Sequence, residues 1–278
     1  MTRRAAVLGH PIGHSLSPVL HRAAYAALGL DWDYQAIDLT EAEVGPFLAA
    51  AAQEPEWAGF SVTAPLKSAV MPALAETSGL AGRVGAVNTI VRRPDATLAG
   101  HNTDVTGIVR ALEEVAAASP GLPLGIVGAG GTAAAALAAA VQLEADPVVV
   151  VARRPVVATA LLEQVGVSGE VVAIDQAATA LALPRVIVTL PGDAAATLVP
   201  DVPQAPGVLL DVTYHPWPTS LASAWSARGG TVISGHRMLL WQAVEQVRLM
   251  TGLTPPVPAM EAALAAALVE RTDPPPGG

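Results

Sequence analysis

The sequence predicts an α/β chain of two domains, the second built on a doubly wound parallel sheet. Three observations carry this. The chain has 278 residues, more than the roughly 100–200 of a usual single domain. After a polar break at Ser119-Pro120-Gly121, six short, mostly apolar runs alternate with helical stretches, which is how strands buried on both faces of a crossover-connected sheet read. Beyond the sixth run come two helices with no further strand to feed. They are expected to pack back onto the first domain, which is then discontinuous.

Taken in order, the first third gives strand-like Ala5–Leu8, a helix from Pro18, a strand at Tyr34–Leu39 and a helix near Glu41–Ala52. Gly59–Val62 reads as a strand, Pro65 opens a helix, and Ala86–Val91 is a strand. The layout is βαβ-like. The second series places strands at Leu124–Val127, Val148–Ala152, Val171–Ile174, Val186–Leu190, Val208–Val212 and Thr231–Ile233. The closing helices are expected at about His236–Met250 and Pro258–Glu270. The expected boundaries are therefore residues 1–104 with 237–271 for the first domain and 105–236 for the second. Residues 272–278, rich in Pro and Gly, form a tail expected to be disordered.

Composition narrows the function. Hydrophobic residues make up 52% but aromatics only 4%, so helices are expected to pack through small side chains rather than aromatic clusters. A net charge of −9 argues against a nucleic-acid partner, which needs a basic face. The absence of cysteine excludes disulfides and thiolate metal sites. The apolar run after Met1-Thr2-Arg3-Arg4 stops at His10-Pro11 with no cleavage pattern, so the N-terminus reads as mature. No apolar stretch approaches the roughly 20 residues of a membrane span. A cytoplasmic protein, monomer or homodimer, is expected, without membrane contact.

Leu124–Val127 runs directly into Gly128-Ala129-Gly130-Gly131-Thr132-Ala133 and then an Ala-rich helix. This is G-x-G-x-x-A in the strand–turn–helix setting that dinucleotide binding requires. Gly128 permits the tight turn, Gly130 lets the backbone approach a pyrophosphate, and Ala133 keeps helix and strand close. The plain alternative is a glycine-rich βα turn. NAD binding normally wants an acidic residue at the end of the second strand. Here that strand ends in Arg153-Arg154, two guanidiniums suited to the 2′-phosphate of NADP. They also read as solvated charges on a loop.

Four polar clusters punctuate the first domain at strand ends or helix starts, where active-site groups of α/β domains collect. The first runs from Gly9-His10-Pro11 through Ser15-Leu16-Ser17-Pro18. Ser15 and Ser17 can offer hydroxyls and backbone N–H groups to a carboxylate, although Ser17 alone reads as an N-cap. In the second, Phe60 to Lys67, Thr63 ends a strand and Lys67 falls in the first turn of the expected helix, where a cation is mildly unfavourable. Alone it reads as a solvated lysine. The third is Gly85-Ala86-Val87-Asn88-Thr89 and the fourth Gly100-His101-Asn102-Thr103-Asp104. In isolation Asn88 reads as a turn residue and Asp104 as an N-cap.

Together these clusters resemble the shikimate dehydrogenase family, whose S-x-S-P, V-T-x-P-x-K, A-V-N-T and N-T-D patterns all occur here in order. The likeness continues through the glycine loop, Asp211–Thr219 and Gly235–Ala243. It implies a Rossmann domain for the second half and NADP(H) as cofactor. It also implies that Ser15 and Ser17 hold a substrate carboxylate, that Thr63, Asn88, Asp104, Tyr214 and Gln242 address ring oxygens, and that Lys67 is catalytic. Thr189, Gly235 and Met238 would join Gly128–Ala133, Arg153 and Arg154 around the cofactor. Ser61 stands where Asn is commoner before V-T, and Arg154 where Thr is commoner.

The implied reaction is reversible reduction of 3-dehydroshikimate to shikimate by NADPH. Hydride transfer to a ketone leaves negative charge on oxygen. Lys67 can protonate that oxygen, with Asp104 orienting the ammonium and the substrate hydroxyl. The same chemistry on quinate or an amino-shikimate, or a ligand-sensing relative without catalysis, are the alternatives. No metal is expected, since His10, His14 and His21 match no ligand spacing.

Overall fold

The computed structural model describes residues 2–272. The chain divides into two compact units. One holds the described residues up to Gly82, Ala86–Thr103 and those from Gln242 on; the other holds Arg83–Gly85 and Asp104–Trp241.

The first unit opens with β1 (Arg3–Gly9), α1 (Ser17–Ala27), β2 (Trp32–Asp38), α2 (Glu41–Ala52) and β3 (Trp57–Val62). α2 starts where the sequence supplies a capping box, with Glu43 accepting from the Thr40 N–H at 2.8 Å. There follow β4 (Glu76–Thr77), α3 (Gly79–Val84), β5 (Thr89–Arg92) and β6 (Leu98–His101). The sheet order is β2-β1-β3-β5-β6-β4. β1 runs parallel to β2 and β3, whereas β5 is antiparallel to both β3 and β6.

This corrects the expected βαβ-like layout, which holds through β3 and then yields to a mixed sheet. The helix expected from Pro65 is also absent. Residues 64–70 form turns, followed by a 3₁₀ turn at Met71–Ala73. Pro65 and Pro72 stand seven positions apart, and a proline ring crowds the carbonyl four residues before it and donates no hydrogen bond. The backbone answers with short i→i+3 bonds, Leu66 N–H to Thr63 and Met71 N–H to Ser68. Ser17 is not the N-cap of α1: that position is Leu16, which makes no side-chain cap, and Ser17 is the first helical residue.

Small-residue packing is only half the description of the core. Phe47, Trp57 and Phe60 form an aromatic cluster under the first sheet, with Trp57 and Phe60 centroids 4.8 Å apart. Aromatic rings therefore anchor this unit despite their scarcity.

The second unit carries α4 (Asp104–Glu113), β7 (Leu124–Val127), α5 (Gly131–Gln142), β8 (Val148–Ala152), α6 (Pro155–Val165) and β9 (Glu170–Ala173). It continues through α7 (Ala178–Leu181), β10 (Arg185–Val188), α8 (Gly192–Ala195), β11 (Val208–Asp211), α9 (Ser220–Ala227) and β12 (Thr231–Ser234). All six strands are parallel, in the order β12-β11-β10-β7-β8-β9. The doubly wound expectation stands. β7 and β8 are buried along their whole length, as strands covered on both faces must be. α5 buries Ala133–Ala140 against them, the close packing that the composition foretold. At the entry to β7, the buried Arg185 guanidinium donates to the carbonyls of Ala117, Ser119, Leu122 and Pro123.

The chain ends with α10 (Gly235–Thr251) and α11 (Val257–Thr272). α11 packs against α1 inside the first unit, as expected. Most of the tail assigned to 272–278 lies outside the described residues. Among the described residues no helix is long and apolar enough to cross a membrane.

Candidate active site

Parallel β1 and β3 end at one edge of the first sheet, and antiparallel β5 begins there. Antiparallel β6 ends beside the start of β5, Thr89 facing His101, so strand direction alone delivers Gly100–Thr103 of the fourth polar cluster to the same place as the other three. β1 ends at Gly9, where a Cβ would lie 2.4 Å from the Thr63 methyl. The end of β1, where the loop begins, therefore touches the residue that follows β3. Asp38, at the end of β2, ties the loop down. It accepts from the Ile12 N–H at 3.1 Å and pairs with His10 Nδ1 at 2.5 Å. These bonds hold the Asp38 carboxyl below its ordinary value. Ser15 accepts from the Ser17 N–H at 3.2 Å, so its own O–H remains a donor. Ser15 is half-buried and Ser17 buried.

Thr63 follows β3 directly and is half-buried. Lys67 sits in the turn run, its side chain half-buried, and its carbonyl accepts from the Val87 N–H at 2.8 Å. That bond fastens the lysine loop one residue before Asn88. Asn88 is 1% exposed and is held by β3, since its carbonyl accepts from the Val62 N–H at 2.8 Å. Its Oδ1 accepts from the Thr103 N–H at 2.7 Å and from Thr89 Oγ1 at 2.9 Å. Its Nδ2 donates to Thr103 Oγ1 and to Gln242 Oε1, each at 3.0 Å.

Gln242 therefore meets the third cluster although 154 positions separate it from Asn88. Behind it lies a polar network that motif reading missed. Gln246, one turn further along α10, donates to Gln242 Oε1 at 3.1 Å and to the Asn88 carbonyl at 3.2 Å. It accepts from Ser61 Oγ at 2.8 Å and bonds His21 Nε2 at 3.2 Å. Tyr34 donates to Ser61 at 2.6 Å, and the His21 ring stacks on Tyr34 at 4.0 Å. Burial pushes the His21 imidazole down to about 4 and the Tyr34 phenol well above its ordinary value. The one available signal was a pair of glutamines at i and i+4 on a helix.

In the second unit Asp104 is the first residue of α4 and 3% exposed. The glycine turn has the shape its sequence requires. Gly128 takes φ +123°, and a Cβ there would lie 2.2 Å from Thr189 Oγ1, so only glycine fits. Thr189 is bonded to the Val127 carbonyl through both N–H and Oγ1. Gly130 is the extended N-cap of α5, without a side-chain cap, and nothing lies within 4 Å of its Cβ direction. Ala129, Gly131 and Thr132 complete a turn whose backbone is open at the start of a helix, a setting suited to an anion. Arg153 and Arg154 follow β8, both exposed, and no carboxylate occurs between them and Glu163. These residues fit a dinucleotide bearing an additional phosphate.

Tyr214 is half-buried after β11, its ring 5.8 Å from that of His236. The loop is set by buried Asp211, which accepts from Thr219 Oγ1 at 2.6 Å and the Thr213 N–H at 3.0 Å. Burial raises its carboxyl value. Gly235 begins α10 so close to β11 that a Cβ would lie 2.2 Å from the Val212 carbonyl, and Met238 is buried one turn on.

Residues 7–90 match the model of the shikimate dehydrogenase substrate binding domain, and residues 235–265 that of the shikimate 5'-dehydrogenase C-terminal domain. A shikimate dehydrogenase (NADP(+)) from Sphingopyxis alaskensis is 36% identical over 91% of this chain and 92% of its own. The crystal structure of Mycobacterium tuberculosis shikimate dehydrogenase is 41% identical, with TM-score 0.87 over 95% of this chain and 99% of that one. The enzyme of Thermus thermophilus in complex with NADP(H) and shikimate is 32% identical, with TM-score 0.83 over 95% and 99%. A quinate dehydrogenase from Corynebacterium glutamicum in complex with NAD is 30% identical, with TM-score 0.85 over 95% and 99%.

Proposed function

We propose, from the premise that this chain belongs to the shikimate dehydrogenase family, that it reduces 3-dehydroshikimate to shikimate with NADPH, reversibly. The carrying observation is the gathering of Ser15, Ser17, Thr63, Lys67 and the Asn88–Gln242 pair at one sheet edge of one unit. The unit that contains them takes the acid, and the unit built on β7–β12 takes the cofactor.

Ser15 and Ser17 hold the substrate carboxylate, the Ser15 O–H being left to donate by the Ser17 N–H it accepts. Thr63, Asn88, Gln242 and Tyr214 address the ring oxygens, Asn88 while also tying down Gln242. Gly128–Ala133 and Thr189 shape the pyrophosphate turn, Arg153 and Arg154 take the 2′-phosphate, and Gly235 and Met238 flank the nicotinamide. When bound, that ring supplies the hydride. Lys67 delivers a proton to the oxygen that becomes negative, and in the reverse direction receives the hydroxyl proton. Asp104 orients the substrate hydroxyl. A full charge appears on the substrate oxygen only as reaction proceeds, so the Lys67 interaction strengthens in the transition state.

The test is turnover of shikimate and quinate with NADP and NAD, beside the Lys67→Ala variant. Shikimate with NADP is the expected best pair. Lys67→Ala is expected to lower kcat roughly 10²–10⁴-fold with little change in KM. Near-normal turnover without the lysine overturns its role, and preference for quinate with NAD overturns the substrate and cofactor assignment.

A further inference from the structure

Gln246 has no part in the scheme above, yet it is 1% exposed and spends all four hydrogen-bonding positions of its amide inside the first unit. We propose that Gln246 is a positioning residue for substrate recognition: it fixes the Gln242 amide with its carbonyl turned inward and its NH₂ left for the substrate. This rests on the reading of Gln242 as a residue that meets the acid.

Main-chain groups of fixed polarity anchor the orientation. A carbonyl only accepts, so the Asn88 carbonyl at 3.2 Å requires Gln246 to present Nε2 on that side. Its Oε1 then faces Ser61 and His21. Tyr34 O–H donates to Ser61, and Ser61 O–H donates to Gln246. The second Nε2 hydrogen of Gln246 points at Gln242 Oε1, 3.1 Å away. Asn88 is anchored in the same manner, because the Thr103 N–H at 2.7 Å requires Oδ1 and so directs Nδ2 to Gln242. Two donors thus converge on Gln242 Oε1. Rotating that amide by half a turn would set NH₂ against NH₂ twice, and a buried unmet donor is costly. Gln242 is half-buried, and the group it has left to offer is a pair of N–H donors, matched to hydroxyl oxygens of a polyhydroxylated ring. The neutral state of buried His21 agrees, since one ring nitrogen donates to Gln246 while the other accepts from Tyr25 at 3.3 Å.

A double-mutant cycle tests this. Gln242→Ala is expected to raise the KM for shikimate about 10-fold, the value of one or two hydrogen bonds. Gln246→Leu, with Gln242 intact, is expected to raise it about 5-fold, leaving the KM for NADP unchanged. In the Gln242→Ala background Gln246→Leu should add less than about 2-fold, since it acts only through that amide. A KM for shikimate unaltered by Gln246→Leu, or effects that multiply, overturn the proposal. A Gln242→Ala variant with unaltered KM would instead remove the reading of Gln242 and the inference with it. Should circular dichroism show Gln246→Leu unfolded, Ser61→Ala enters the same cycle. There a rise of about 2-fold that disappears without Gln242 supports the role, and one that persists refutes it.

Discussion

Acidification should destabilise this protein through one buried imidazole. His21 is fully buried, bonded to Gln246 and Tyr25 and stacked on Tyr34, and burial lowers it from 6.5 to about 4. The unfolded chain therefore takes the proton first as pH falls. The stability that the neutral ring contributes is complete above 6.5, declines below it and is lost by about 4. The full difference is about 3 kcal/mol, of which about 1 has gone by pH 6 and about 2 by pH 5. Urea unfolding followed by circular dichroism at pH 7.5, 6 and 5 measures it, with His21→Phe as the reference. Phenylalanine keeps a ring against Tyr34 but has nothing to protonate. The variant should be less stable at pH 7.5, by about 1–2 kcal/mol for the partners left unmet. Its stability should then fall less steeply, by about 2 kcal/mol at pH 5. Parallel curves for the two proteins would mean that the His21 imidazole is not the group that titrates.

Other substitutions probe the second unit. Arg153→Ala should raise the KM for NADPH about 10-fold or more, the worth of a charge-assisted bond, while leaving that for NADH nearly unaltered; equal effects on both cofactors would remove the arginine from the phosphate. Gly128→Ala places a methyl 2.2 Å from Thr189 Oγ1 at φ +123° and should cost about 1–3 kcal/mol from the backbone conformation alone, read as a lower Tm; an unchanged Tm contradicts the turn geometry. Thr219→Val removes the cap of α9 and a donor to buried Asp211, a loss of about 2–4 kcal/mol in chemical denaturation; under about 0.5 kcal/mol would mean that Thr219 carries neither.

The second unit was legible because each strand is a short apolar run with a helix after it, and the glycine turn follows the first of them directly. Local pattern and fold agree there. Residues 63–101 were obscure for the opposite reason. β4 has two residues, β6 four and α3 six, too short to display a period, and the reversal of β5 leaves no trace in its composition. The helix expected from Pro65 gave too little weight to Pro72. Motif order brought out Lys67, Asn88, Asp104 and Gln242. The network behind them stayed hidden because His21 and Gln246 lie 225 positions apart. Ser61, read only as a departure from the usual Asn, turns out to join Tyr34 to Gln246.

Arg185 has a consequence for the order of assembly. Its guanidinium gathers carbonyls from residues 62 to 68 positions earlier, in the connection that leads into β7 and hence to the glycine turn. During synthesis that connection waits for β10 to emerge before its carbonyls find their donor. An amino-terminal fragment ending short of residue 185 would carry the whole glycine-rich motif and still lack the clamp that sets where its strand begins.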